Sequence, residues 1–224
     1  MTRTIVFDFD GTLAIGHGPV LAFADCVAPL AGKDYLARVK TALDEYDAGR
    51  GNHRDGYHVV GALAAEDGVA AEALSDAYSR SRDVLGTADA PVQTIDNLGE
   101  FLAGLRRHAR IVLATNAPAA GIERVLNAWG VRDRFDDVRV SVGKPAGLTP
   151  IIEQALESGP VLAIGDIVEY DLAPAIALGA DTALVGATAA TSPASVTMRG
   201  ATLTDLRPDI EAWAATAESR TPAP

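Results

Sequence analysis

Residues 4–9 form a dense run of β-branched and aromatic side chains that ends at Asp10-Gly11. A short apolar run closed by a turn signal predicts a strand buried on both faces. Similar runs recur at 109–115, 160–165 and 181–185, with weaker ones at 138–142 and 201–203. Between them the apolar positions change to helical spacing, at 91–108, 118–129, 148–157, 172–178 and 206–215. Strands alternating with helices predict an α/β fold with a doubly wound, parallel, Rossmann-like sheet.

Residues 14–90 break that rhythm. They show only helical periodicity, as in Tyr35, Val39, Leu43 and Tyr46 or Val59 and Leu63, and Gly32, Gly49, Gly51, Gly56 and Gly68 divide them into about four helices. Four helices suffice to close a small bundle. The expected organisation is a catalytic core of 1–13 and 91–217, a helical cap at 14–90, and a flexible tail at 218–224, where two prolines leave little to bury.

Composition narrows the function. The 224 residues are 48% hydrophobic, enough for a sizeable core. A net charge of −11 argues against nucleic acid or an anionic membrane as partner and favours a small molecule. Cys26 is the only cysteine, which fits a reducing compartment, and two aspartates interrupt the apolar opening that a secretory leader would need. The longest uncharged stretch, 182–198, is studded with Thr, Ser, Gly and Pro and makes a poor membrane span. A cytoplasmic protein is expected. An aromatic content of 5% marks no interface, so monomer and homodimer are equally compatible.

Four short motifs carry candidate chemistry. Asp8 and Asp10, spaced i, i+2 at the exit of the first strand, share one side of the chain at the sheet edge where open α/β proteins bind ligands. Thr115-Asn116 closes the second strand and offers a hydroxyl and an amide to a phosphate oxygen, although the pair equally suits a helix cap. Lys144, in Gly143-Lys144-Pro145, is one of only three lysines and places a compact positive charge after the third strand; its bland alternative is a surface turn. Asp166 ends the fourth strand, and Asp171 precedes a helix it could also cap. A nucleotide P-loop is excluded because Val138 and Pro145 occupy the positions that would need Gly and Ser or Thr. Converging carboxylates repel by about 4 kcal/mol per pair at ~4 Å and an effective dielectric of 20. A cation offsets this, and all-oxygen ligands favour Mg²⁺ over zinc; the four histidines, His17, His53, His58 and His108, show no zinc-like spacing.

In this order DFDGT, ATN, GKP and GDIVEYD resemble the four motifs of the haloacid dehalogenase superfamily, in particular its phosphoglycolate-phosphatase-like members with a helical cap after the first motif. The resemblance spans about 4–185. It implies that Asp8 attacks phosphorus to form an aspartyl-phosphate while Asp10 protonates the leaving group and then activates water. It further implies that Asp8, Asp166 and the Asp10 carbonyl ligate Mg²⁺ with Asp171 in support, that Thr115 and the Asn116 amide hold the phosphoryl oxygens, and that Lys144 neutralises charge beside the nucleophile. Ile167 departs from the pattern, since Ser or Thr often follows the fourth-motif Asp. Arg50, His53 and Arg54 in a polar cap loop are candidate substrate contacts, with His17 of similar standing; a solvated loop is the alternative. Phosphoglycolate, sugar phosphates and nucleoside monophosphates all fit such a reading. Asp10 favours phosphoryl chemistry over carbon–halogen cleavage, while a phosphomutase and a catalytically silent binding protein stay open as alternatives.

Overall fold

The computed structural model describes residues 2–50 and 52–218. Gly51, part of the cap loop, and residues 219–224 of the expected tail lie outside the described residues. No described helix is long and apolar enough to cross a membrane.

Six parallel strands form one sheet in the order β3-β2-β1-β4-β5-β6. They are β1 (Arg3–Phe7), β2 (Ala109–Ala114), β3 (Asp137–Arg139), β4 (Val161–Gly165), β5 (Asp181–Leu184) and β6 (Met198–Arg199). β1 is central, with Phe7 registered against Leu113 of β2 and Ile164 of β4. The chain winds outward from β1 through β2 to β3, then returns to the other side of β1 with β4. The exits of β1 and β4 therefore flank the topological switch point, where the crevice of an open α/β sheet forms.

The near-continuous apolar strands are what burial on both faces requires. On one face Val6, Val112, Ala163 and Leu184 join Leu148, Ile152, Leu172 and Ala175 in a single cluster, covered by α7 (Thr149–Leu156) and α8 (Ala173–Ala177). Phe7 meets Phe101 edge-on at 6.4 Å, and Phe101 belongs to α5 (Leu98–Leu105), which packs against β2 and α9 (Leu203–Thr216).

Four elements differ from the periodicity reading: the strand expected over 138–142 covers only 137–139, the helix expected over 118–129 runs only from Ile122 to Ala128, and two others shift further. The weak run at 201–203 is not a strand: β6 lies earlier, at Met198–Arg199, and Leu203 starts α9. Thr202 and Asp205 form a reciprocal capping box there, and the two satisfied amides favour the helix. The helix expected over 91–108 begins only at Leu98, after Asn97 in a left-handed conformation (φ 58°), because the preceding segment is extended and Gln93 bridges Ile15.

The described chain divides into two compact units: Met1–Ala14, Thr94–Ala117 and Trp129–Pro224 form the sheet unit, and Ile15–Gln93 with Pro118–Ala128 form a helical one, each over its described residues. The helical unit holds α1 (Gly18–Val27), α2 (Tyr35–Asp47), α3 (Gly56–Glu66) and α4 (Ala71–Asp83) around Val20, Phe23, Val39, Leu43, Val59 and Val60. Short α6 (Ile122–Ala128) belongs to this unit, where Arg124 donates to the carbonyls of Asp83 and Leu85. Within the same unit Arg82 is 1% exposed, donating to the Tyr57 hydroxyl at 2.7 Å and lying over the Tyr78 ring at 5.7 Å.

Candidate active site

Asp8 leaves β1 with its amide still donating to Ile164 of β4, so the strand ladder fixes where its side chain begins. The chain then turns sharply. The Phe9 carbonyl accepts from the amides of Thr12, Leu13 and Ala14, and Gly11 takes φ +83°. A Cβ on Gly11 would lie 2.2 Å from Asp166 Oδ2, so this position needs glycine both for its backbone and for the approach of Asp166. On β4 Gly165 is required for space alone, since a Cβ there would lie 2.2 Å from the Asp171 Cβ.

Those two close approaches collect the acids. One carboxylate oxygen from each of Asp8, Asp166 and Asp171 lies within 4.8 Å of the others, and all three residues are buried. Lys144 Nζ bridges two of them, donating to Asp8 Oδ1 at 2.5 Å and to Asp171 Oδ1 at 2.7 Å. The other Asp171 oxygen accepts the Ile167 amide at 3.0 Å, and Thr12 Oγ1 donates to Asp8 Oδ2 at 3.3 Å. Asp171 does not cap α8, whose N-cap is Leu172 with no side-chain bond. Instead, a π-helical turn over Val168–Leu172 carries the carboxylate back toward Lys144.

Three acids against one ammonium leave an excess of negative charge. Two carboxylate charges no more than 4.8 Å apart repel by about 3 kcal/mol or more at an effective dielectric of 20. Burial accordingly pushes the Asp8 carboxyl up to about 7, with Lys144 opposing and Asp171 and Asp10 adding to the rise. For Lys144 burial would lower the pKa, but Asp8 and Asp171 outweigh it and hold the ammonium above its ordinary range. The donor set is all oxygen, buried and short of positive charge, which fits a hard divalent cation of the Mg²⁺ type.

Thr115 and Asn116 sit at the β2 exit. Thr115 is buried, and its Oγ1 accepts from the Ala117 amide at 3.0 Å, which leaves the hydroxyl hydrogen to donate elsewhere. The Asn116 carboxamide meets the backbone of Lys144: Oδ1 accepts from its amide at 2.7 Å and Nδ2 donates to its carbonyl at 3.5 Å. Neither residue caps a helix, since α6 begins only at Ile122. Asp10, partly exposed, follows Asp8 by two residues in the same turn, and its side chain is not among the three clustered carboxylates.

The structure thus gathers Asp8, Asp10, Thr115, Asn116, Lys144, Asp166 and Asp171 on the carboxyl edge of one sheet. Arg50, His53 and Arg54 belong to the helical unit, between α2 and α3. Arg50 is exposed, Arg54 Nε donates to Asp55 at 3.0 Å, and His53 packs its ring on His58 at 5.3 Å. His17 pairs with Asp47 at 2.6 Å in that unit. Two contacts were not anticipated from the sequence. Thr12 was part of the first motif, and its i, i+4 relation to Asp8 inside a tight turn is the signal that would have found it. The Asn116 clamp has no local signal, because its partner is 28 residues away.

The model of the haloacid dehalogenase-like hydrolases matches residues 2–179. No curated protein matches the chain. Solved structures with the same fold include magnesium-bound YfnB of Bacillus subtilis, at 20% identity and TM-score 0.64 over 93% of this chain and 98% of that one. A HAD phosphatase from Thermococcus onnurineus shares 19% identity with TM-score 0.55 over 98% and 100% of the two chains. A 2-haloacid dehalogenase from Pseudomonas syringae shares 15% with TM-score 0.55 over 95% and 99%. At these identities the likeness is one of fold, which phosphatase and dehalogenase hold in common.

Proposed function

The chain belongs to the haloacid dehalogenase-like hydrolases, and from that premise we propose that it is a Mg²⁺-dependent phosphatase hydrolysing a small phosphorylated metabolite through an aspartyl-phosphate on Asp8. The observation that carries this reading is the pairing of two acids in one turn with different surroundings. Asp8 is buried and held by Lys144 and Thr12, whereas Asp10, two residues on, is partly exposed. A fixed nucleophile beside a more accessible acid is the division of labour that phosphoester hydrolysis needs. Displacement at carbon has no use for the second acid.

In the first half-reaction an Asp8 carboxylate oxygen attacks phosphorus in line, the ester P–O bond breaks, and Asp10 gives its proton to the leaving alkoxide. In the second, Asp10 removes a proton from water, the resulting hydroxide attacks the phosphorus of the acyl-phosphate, and Asp8 departs with inorganic phosphate formed. Lys144 balances charge at the nucleophile throughout, and the Thr115 hydroxyl and Asn116 amide bind the phosphoryl oxygens. Asp8, Asp166 and the Asp10 carbonyl would hold Mg²⁺ with Asp171 in support; bound there, the ion neutralises charge between nucleophile and phosphoryl group. Arg50, His53 and Arg54 remain proposed contacts to the rest of the substrate, and a monomer or homodimer without nucleic-acid or membrane partners completes the proposal.

The test is phosphate release from a panel of phosphoglycolate, sugar phosphates and nucleoside monophosphates, with Mg²⁺, with a chelator and with Asp8→Asn. Turnover that needs the metal and vanishes in the variant supports the phosphatase. Absence of release from every compound by folded, Mg²⁺-supplied protein rejects it.

A further inference from the structure

We infer that the Asn116 side chain is a positioning residue that sets the location of the Lys144 ammonium by clamping the Lys144 backbone. This rests on the phosphatase reading, in which Lys144 neutralises charge beside Asp8.

Lys144 occupies the irregular segment between β3, which ends at Arg139, and α7, which begins at Thr149. No ladder or helix holds its peptide groups. The segment is joined to the β2 exit instead: the Thr115 carbonyl accepts the Val142 amide at 3.0 Å, and the Ala117 carbonyl accepts the Ser141 amide at 2.9 Å. These bonds stop short of residue 144. Gly143 follows at φ +71°, a conformation that favours glycine, with nothing within 4 Å of where a Cβ would stand. Beyond it the Gly147 amide returns to the Gly143 carbonyl at 3.0 Å, which holds the far side of the Gly143–Lys144 peptide plane but leaves the Lys144 amide hydrogen and carbonyl oxygen to another partner.

The Asn116 carboxamide fills that gap with both of its functions, accepting from the Lys144 amide and donating to the Lys144 carbonyl. Among the short polar side chains that reach this far, only an amide offers donor and acceptor together in one plane. The two ends of Lys144 are then both fixed: its backbone to the β2 exit and its ammonium to Asp8 and Asp171. A long lysine stem gives the ammonium many alternative positions unless its root is held. Anchoring the root to the strand beside β1 ties the cation to the same rigid sheet that carries Asp8. The carboxamide is thereby committed to the loop, which separates its task from phosphate binding by the Asn116 backbone amide.

Two measurements decide it. Hydrogen exchange at the Lys144 amide reads the clamp without any turnover: Asn116→Ala should speed exchange by about tenfold, the loss of one hydrogen bond, while Asn116→Asp keeps the acceptor and the protection. Unchanged exchange in Asn116→Ala overturns the clamp. The second measurement is a double-mutant cycle on kcat. Asn116→Ala should lower kcat about tenfold by misplacing the ammonium, and Lys144→Ala about 10²-fold or more. In the Lys144→Ala background the further change from Asn116→Ala should shrink to less than about twofold, because the group it positions is gone. A full additional tenfold loss would show that Asn116 acts on its own and would overturn the inference, with melting temperatures of the variants confirming that each is folded. Should the wild type release no phosphate from any substrate, the phosphatase reading fails, and the exchange result alone accepts or rejects the clamp.

Discussion

Replacing Asp8 with Asn should stabilise the metal-free protein, and the gain should depend on pH in a defined way. Asp8 is 8% exposed, and burial beside Asp171 and Asp10 lifts its carboxyl from an ordinary 3.8 to about 7 despite the Lys144 ammonium. A carboxyl raised on folding keeps its proton in the native state where the unfolded chain has already released it. Wild-type stability from this group therefore falls as pH rises from about 4 to about 7 and is flat above. At roughly 1.4 kcal/mol per pH unit the full penalty is about 4 kcal/mol. Asn cannot ionise and escapes it, but it also weakens the hold on Lys144, which keeps Asp171 as its one charged partner and exchanges the Asp8 carboxylate for a neutral amide oxygen. The expected net gain at pH 8 is about 2–4 kcal/mol, growing by about 1.4 kcal/mol per unit between pH 4 and 7. Urea unfolding in chelator, followed by the combined emission of Trp129, which stacks on Phe9 at 5.9 Å, and Trp213, measures it. Taking the difference between variant and wild type at each pH removes the titration of shared groups. A variant no more stable at pH 8, or a gap that stays constant between pH 5 and 7, refutes the argument from burial.

Gly11→Ala should cost about 2 kcal/mol or more, since its φ of +83° is unfavourable for any side chain and the new methyl meets Asp166 Oδ2; thermal melting reads the loss. Millimolar Mg²⁺ should raise the wild-type melting temperature at pH 8, and Asp166→Asn should abolish most of that rise, because a charged oxygen is taken from the acidic cluster; equal shifts in both proteins would remove Asp166 from the metal site. Tyr57→Phe should destabilise the protein by about 1.5–3 kcal/mol in urea unfolding, as it removes the hydroxyl to which buried Arg82 donates; a change under about 0.5 kcal/mol would show that the bond contributes nothing net.

Much of the sheet and its acidic edge was legible in the sequence because the relevant signals are local. The runs that became β1, β2 and β4 carry three or four consecutive apolar residues, at 5–7, 111–114 and 161–164, and end where the chemistry begins, so Asp8, Thr115 and Asp166 could be placed at strand exits without tertiary information. The errors occurred where two local signals competed. Residues 201–203 look strand-like by composition, but Thr202 and Asp205 carry a helix-start pattern, and two reciprocal hydrogen bonds outweigh a three-residue β preference. Arg82 was invisible for another reason. It sits in α4 among Ser, Arg and Asp residues that read as a solvated face, and its burial depends on Tyr57 and Tyr78, which only the packed unit brings to it.

The fourth motif shows why residue type and residue role can separate. Ile167 stands where a hydroxyl residue often occurs in the resembling family, which suggests a lost contact near the acidic cluster. In the structure the Asp171 carboxylate receives its hydrogen bond at that position from the Ile167 backbone amide, a group every residue except proline supplies. The orientation of Asp171, and through it one of the two anchors of the Lys144 ammonium, is thus indifferent to the side chain at 167. Thr12 makes the opposite case, since its contact to Asp8 runs through the hydroxyl and no backbone group replaces it. Sequence motifs weigh both positions alike. The hydrogen-bond partners determine which of them tolerates substitution: on this reasoning the apolar residue at 167 costs the site little, while loss of the Thr12 hydroxyl leaves a buried Asp8 oxygen without that bond.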